Sequence, residues 1–175
     1  YQNKNKFGHS SFDIFVADTL GNDQEITHLA DAIYPAFHPN GTEIIFARRE
    51  TNSTRFILSK AILNENPKSK AVEWTDIWTP PESYAYYNIY TPKYSPDGSK
   101  IAFSFFDDKT RGIATINADG TDFKILSEEG IDARDPAWLD NSTLLFSANK
   151  NGIFNLFKAK SLIVNVNASE RKGYR

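Results

Sequence analysis

Three stretches of this 175-residue chain are versions of one another: YPAFHPNGTEIIFA from Tyr34, TPKYSPDGSKIAFS from Thr91 and DPAWLDNSTLLFS from Asp135. A unit this short cannot bury its own apolar face, so recurrent copies must stack against one another. In each copy a proline is followed two residues later by an aromatic (Phe37, Tyr94, Trp138). A polar turn comes next, then an apolar run with phenylalanine at the same place (Phe46, Phe103, Phe146). The third copy is one residue shorter in the turn. In SPDG, Pro96 sets φ at the first turn position, Asp97 is the polar second position, and Gly98 can take positive φ before the next strand. HPNG repeats this arrangement with Asn40. The place of Ser95 is taken by His38 and Leu139 in the other copies. A nucleophilic serine would be missing from two of three equivalent positions, so the stretch reads as a hairpin turn.

A second recurrent unit lies between these copies: FDIFVADTLGNDQEITHL from Phe12, GIATINADGTDFKILS from Gly112 and, in part, GIFNLFKAKS from Gly152. Apolar alternation at Ile14 and Val16, and at Ile113, leads into polar turns such as NADG, after which the chain returns through Ile26 and Leu29 or Ile125. RFILSKAILNENPKSKAVEW is the equivalent with a longer turn. NKNKFGHSSFDIFV echoes ANKNGIFNLF, which predicts that residues 3–11 form the connection that residues 149–152 form later. The prolines at 35, 92 and 136 lie 57 and 44 residues apart. A period of roughly 40 to 45 residues with four short strands per unit is that of a β-propeller blade. Ile101, Phe103 and Phe105 alternate with Ala102 and Ser104, giving one large and one small face, as a blade packed on both sides requires. The expected fold is therefore all-β, a propeller of four-stranded antiparallel blades, with blade parts at about 1–31, 32–75, 89–127 and 134–166. Inner hairpins occur only three times, which makes about three and a half blades. Rings of this kind close with about four to eight blades, so completion by further sequence or by a second chain is expected.

Composition narrows the function classes. Aromatics are 14% of residues, led by 13 Phe and 8 Tyr, which favour strands. Twenty basic against 22 acidic residues leave a formal charge of -2, with no basic run to neutralise a phosphate backbone, so no nucleic-acid partner is expected. No apolar run approaches the roughly 18 to 20 residues of a membrane-spanning helix. Absence of cysteine removes disulfides and thiolate chemistry. No G-x-S-x-G elbow is present, and His9, His28 and His38 fall in unrelated contexts, so no catalytic residues are assigned and the chain is expected not to be an enzyme. NADGTD places its glycine too early for a calcium loop and lacks the closing glutamate, so no metal or other cofactor is expected.

The pattern P-x-aromatic-S-P-D-G-x-x-I-A-F-S, clearest from Pro92 to Ser104, resembles the TolB-type, WD40-like propeller repeat of bacterial periplasmic and surface proteins. NKNKFGHSSFDIFV resembles the blade entry of propellers fused to OmpA-like domains. The resemblance covers the chain up to about Ala159 and departs from the pattern at WLDNS and after Ser161. It implies a protein-interaction module in the periplasm or elsewhere in the bacterial cell envelope. It equally admits the propeller part of a prolyl-oligopeptidase-like hydrolase whose catalytic domain is elsewhere, or a structural subunit of an envelope complex.

The longer proline interval places an insertion at DIWTPPESYAYYN, from Asp76 to Asn88, on the face that carries the channel mouth. Trp78, Tyr84, Tyr86 and Tyr87 are amphipathic rings of the kind that anchor protein interfaces, and equally of the kind that fold down over blade tops. The same face should carry Arg48, Arg49 and Glu50, Asp107, Asp108, Lys109 and Arg111, and Asp132, Arg134 and Asp135. Of these, Asp107, Arg111, Arg134 and Asp135 join the four rings as candidates to hold a protein or peptide partner.

Overall fold

The computed structural model describes residues 2–4, 10–28, 30–63, 73–82 and 87–160, and every element among them is a β-strand. Tyr84, Tyr86 and the tail strand expected at 162–166 lie outside the described residues.

Two complete blades stand at the centre. The first is β5 (Ala32–Phe37), β6 (Glu43–Arg49), β7 (Phe56–Ile62) and β8 (Trp74–Trp78), hydrogen-bonded in that order. The second is β9 (Asn88–Tyr94), β10 (Lys100–Phe106), β11 (Arg111–Asn117) and β12 (Lys124–Ile125). On one flank β13 (Asp132–Asp140), β14 (Thr143–Lys150) and β15 (Ile153–Lys160) make a three-stranded blade. On the other flank lies a partial blade with no innermost strand among the described residues. In it β1 (Gln2–Lys4) pairs with β2 (Ser10–Phe12), and β3 (Phe15–Ala17) with β4 (Asp23–Glu25). All pairings are antiparallel, as short turns demand. The sequence echo placed a connection across residues 3–11. Instead Asn3 pairs with Ser11 and Lys4 with Ser10, so the ends of that stretch are already strand.

The three related turns work as their residues dictate. Ser95 Oγ donates to Asp97 Oδ1 (2.6 Å) and accepts from the Lys100 amide (3.0 Å), while the same Asp97 oxygen takes the Ser99 amide (3.0 Å). Asp140 holds Ser142 in the same way, through both amide and hydroxyl. Gly98 sits at φ +74, and a Cβ there would come within 2.1 Å of His38 Nε2 on the preceding blade. This glycine is required twice, for its backbone and for the approach of two blades. Ser95 is fully buried in the turn.

Each described innermost strand is bulged at the repeat proline, β13 a second time after Trp138, and the residue before that proline is left-handed: Tyr34 (φ 57), Thr91 (φ 45) and Asp135 (φ 54). Proline disfavours the helical region for its predecessor, and a left-handed L-residue is strained by roughly 1 to 2 kcal/mol. Recurrence in three blades marks the bulge as an element of the fold, one that redirects the side chain at the same height of every inner strand. Two inner strands are fastened behind it, Ser104 Oγ donating to the Tyr90 carbonyl (3.5 Å) and Ser147 Oγ to that of Arg134 (3.2 Å).

The core is a set of seams between blades. Ile101, Phe103 and Phe105 face Ile45, Ala47, Phe56 and Leu58 of the preceding blade, while Ala102 and Ile113 face Ala133, Leu144 and Phe146 of the following one. The alternation in KIAFSFF thus separates two seams. Polar ties reinforce the packing. Tyr94 Oη donates to Glu43 Oε1 (2.9 Å), Trp138 Nε1 to the Lys93 carbonyl (3.0 Å), and the Asp97 amide to Asn141 Oδ1 (3.0 Å). Among the described residues Leu139 (55% exposed), Phe154 and Leu156 (79%) line an open flank on β13–β15, and in the seam between the partial blade and β5–β8 Phe37 borders an apolar cleft with Ile14, Val16 and Pro35.

Candidate partner-binding face

Antiparallel order sends the connections 50–55, 79–87, 107–110 and 126–131 to one end of the blades, the end at which the bulged inner strands begin. A row of side chains crosses this end. Tyr34 lies 5.9 Å, ring to ring, from Tyr90 on the next inner strand. The Arg111 guanidinium sits 5.6 Å over the Tyr90 ring, whose hydroxyl accepts a hydrogen bond from Asn88 Nδ2 (3.0 Å). Asp132, at the start of β13, takes both Nε (2.9 Å) and Nη2 of Arg134, and that guanidinium lies 5.0 Å over Phe154. Asp135, the bulge residue, is exposed beside it. The hydrogen bonds from Arg134 hold the Asp132 carboxyl below its ordinary value, while Asp132 raises Arg134 further. Both stay ionised through the whole neutral range.

Four of the eight residues singled out from sequence therefore fall on this end with different duties. Arg111, Arg134 and Asp135 belong to the row. Asp107 closes a turn, its Oδ1 accepting the amides of Lys109 (3.3 Å) and Thr110 (3.0 Å).

The aromatic insertion is placed differently from the sequence expectation. Asp76 to Trp78 are still strand, with Trp78 opposite Leu58 across a bulge, so the connection is only 79–87. Trp78 stacks on Phe123 (4.8 Å) and meets Tyr87 edge-on (5.8 Å), and Tyr87, 2% exposed, stacks on Phe105 (5.5 Å). These two rings fill the seam between the complete blades, because an exposed indole beside that seam would leave a void in the core. Arg55 holds the loop above them through the carbonyls of Pro80 (3.4 Å) and Pro81 (3.3 Å). The neighbouring charges are paired within the blade, Arg48 with Asp76, Arg49 with Asp31 and Arg55 with Glu50.

Tyr34 and Tyr90 were not singled out from the sequence. The signal was present: both precede the repeat proline by one or two residues, the place where Arg134 and Asp135 stand in the third copy.

No family model matches the sequence, and no curated protein matches it. Similarity appears in three dimensions. A putative TolB from Agrobacterium tumefaciens aligns with TM-score 0.62 at 16% identity, over 88% of this chain and 51% of that one. TolB from Acinetobacter baumannii gives 0.59 at 17%, over 90% and 36%. A puromycin-hydrolyzing peptidase from Mycobacterium tuberculosis gives 0.65 at 13%, over 91% and 27%. The chain thus spans about half the length of the first of these and less of the others. Repeated four-stranded blades, bulged inner strands and these alignments agree: the chain has the TolB-like β-propeller fold.

Proposed function

We propose that this chain is a non-catalytic protein-interaction module, a partial propeller of a bacterial cell-envelope or exported protein, which binds a protein or peptide at the face of the bulged inner strands. The observation that carries the reading is the row Tyr34, Tyr90, Arg111, Asp132 and Arg134. Tyr34 at one bulge, Tyr90 and Arg134 each one residue before the bulge of the next two inner strands, and Arg111 at the start of β11 bring phenols and guanidinium groups onto one surface, the residue types that dominate binding hot spots. The core aromatics Trp78 and Tyr87 support that surface from beneath. Resemblance to the TolB-type repeat supports a periplasmic or other envelope location.

The test is a Tyr34→Ala, Arg134→Ala double variant used as bait against envelope extract, with its melting temperature measured in parallel. Partners captured by the unaltered chain and lost by a variant of unchanged stability support the reading, and undiminished capture overturns it.

A second reading is favoured by the likeness to the puromycin-hydrolyzing peptidase: the propeller part of a larger serine hydrolase. There the same face would turn towards a catalytic domain. A G-x-S-x-G elbow elsewhere in the same reading frame decides for it.

A further inference from the structure

Arg111 is the cation of the row whose charge is not consumed. Asp132, whose carboxyl Arg111 also helps to lower, is already doubly bonded to Arg134, and among the described residues Arg111 has no hydrogen bond or ion pair, only the Tyr90 ring under its guanidinium face. The side chain is half-buried at the top of the seam between the blade β9–β12 and the blade β13–β15. Stacking on a ring fixes the plane of a guanidinium and leaves its N–H edge, a planar fork of donors, directed away from the ring. A half-buried cation with an unused fork is matched by a planar, monovalent anion. A dianionic phosphate is disfavoured by the Asp132 carboxylate nearby, whereas a carboxylate meets the fork two-to-two. Tyr34, 39% exposed and without a hydrogen-bond partner among the described residues, lies 5.9 Å beyond Tyr90 and offers a ring to whatever side chain adjoins that carboxylate.

We propose that Arg111, seated on Tyr90, is a carboxylate subsite that reads an acidic side chain or the C-terminal carboxylate of a peptide lying along the Tyr34–Tyr90 row. This rests on the reading of the face as a peptide or protein site and names the chemistry recognised there.

Fluorescence polarisation on the full chain tests it with three peptides carrying the same N-terminal label: Gly-Gly-Ser-Tyr with a free C-terminus, the same peptide amidated, and amidated Gly-Gly-Asp-Tyr. A carboxylate peptide should bind about ten-fold tighter than the plain amide. Preference for the first or for the third identifies the source. Arg111→Gln should erase the advantage, and Arg111→Lys should keep part of it. Where Arg111→Gln does not fold, competition on the unaltered chain by N-acetyl-tyrosine, and not by N-acetyl-tyrosinamide, carries the same test. Equal binding of all three peptides that is lost on Tyr34→Ala would overturn the subsite and leave the face reading standing. An advantage that survives Arg111→Gln, or no binding of any peptide, overturns the subsite as well.

Discussion

Ser95 shows how much a sequence reveals at the scale of one residue. Comparison of copies identified SPDG as a turn, and the structure has that turn, with Gly98 at positive φ. What the copies could not reveal is that the Ser95 hydroxyl is fully buried and bonded at both ends, because burial depends on which blade closes over the turn. Ser95→Ala should therefore cost about 1 to 3 kcal/mol of stability, as a lost partner of buried polar groups does, without changing binding at the opposite face. Two glycines make a sharper comparison. Gly41 and Gly98 share φ +74, but a Cβ at Gly41 meets nothing, whereas at Gly98 it strikes the His38 ring. Gly41→Ala should cost about 1 to 2 kcal/mol from backbone strain alone. Gly98→Ala should lose a further 1 to 3 kcal/mol, roughly, from overpacking. Thermal melts of the two variants decide it, and equal losses would contradict the close approach of the blades.

At the scale of strands and turns, periodicity gave the hairpins and the two-faced character of KIAFSFF, since alternation is a local property. It misplaced Asp76 to Trp78, because nothing local says how far β8 runs before the chain leaves the sheet; the pairing of Trp78 with Leu58 and the stacking on Phe123 decide that. Trp78→Ala should accordingly lower stability by about 3 to 5 kcal/mol while the folded fraction binds normally. Calorimetry paired with affinity measurement checks this, and a stable variant with weakened binding would return the ring to the surface. The seam contact between Tyr94 and Glu43 gives a pH signature. Burial first, then the Glu43 carboxylate, raises the Tyr94 pKa above its ordinary value. A raised pKa means that its stabilisation is fully present below the unfolded value of about 10 and is lost as pH rises beyond it. Alkaline denaturation should thus begin near pH 10, and Tyr94→Phe, less stable at neutral pH by about 1.5 to 3 kcal/mol, should converge with the unaltered chain above it. A constant gap between the two would exclude the coupling. The turn carboxylates act in the opposite direction. The Ser95 hydroxyl lowers Asp97, the Thr121 hydroxyl Asp119 and the Ser142 amide Asp140, so their stabilisation is present above the ordinary aspartate range and fades as pH falls below it.

For the whole molecule, blade spacing sufficed to name the architecture, whereas the row of side chains became visible only when inner strands 44 and 56 residues apart in sequence were set side by side, as the Tyr34 and Tyr90 rings are. The described blades form an arc, not a closed ring, with apolar side chains on the open flank of β13–β15. Leu139, Phe154 and Leu156 make a surface that a neighbouring blade would cover. Exposed apolar patches of this kind drive association. Sedimentation velocity on the 175-residue chain alone is the most direct measurement. Concentration-dependent association is expected, and Leu156→Lys with Leu139→Lys should weaken it. A monomer at all concentrations, unfolding in one cooperative step, would contradict the open arc.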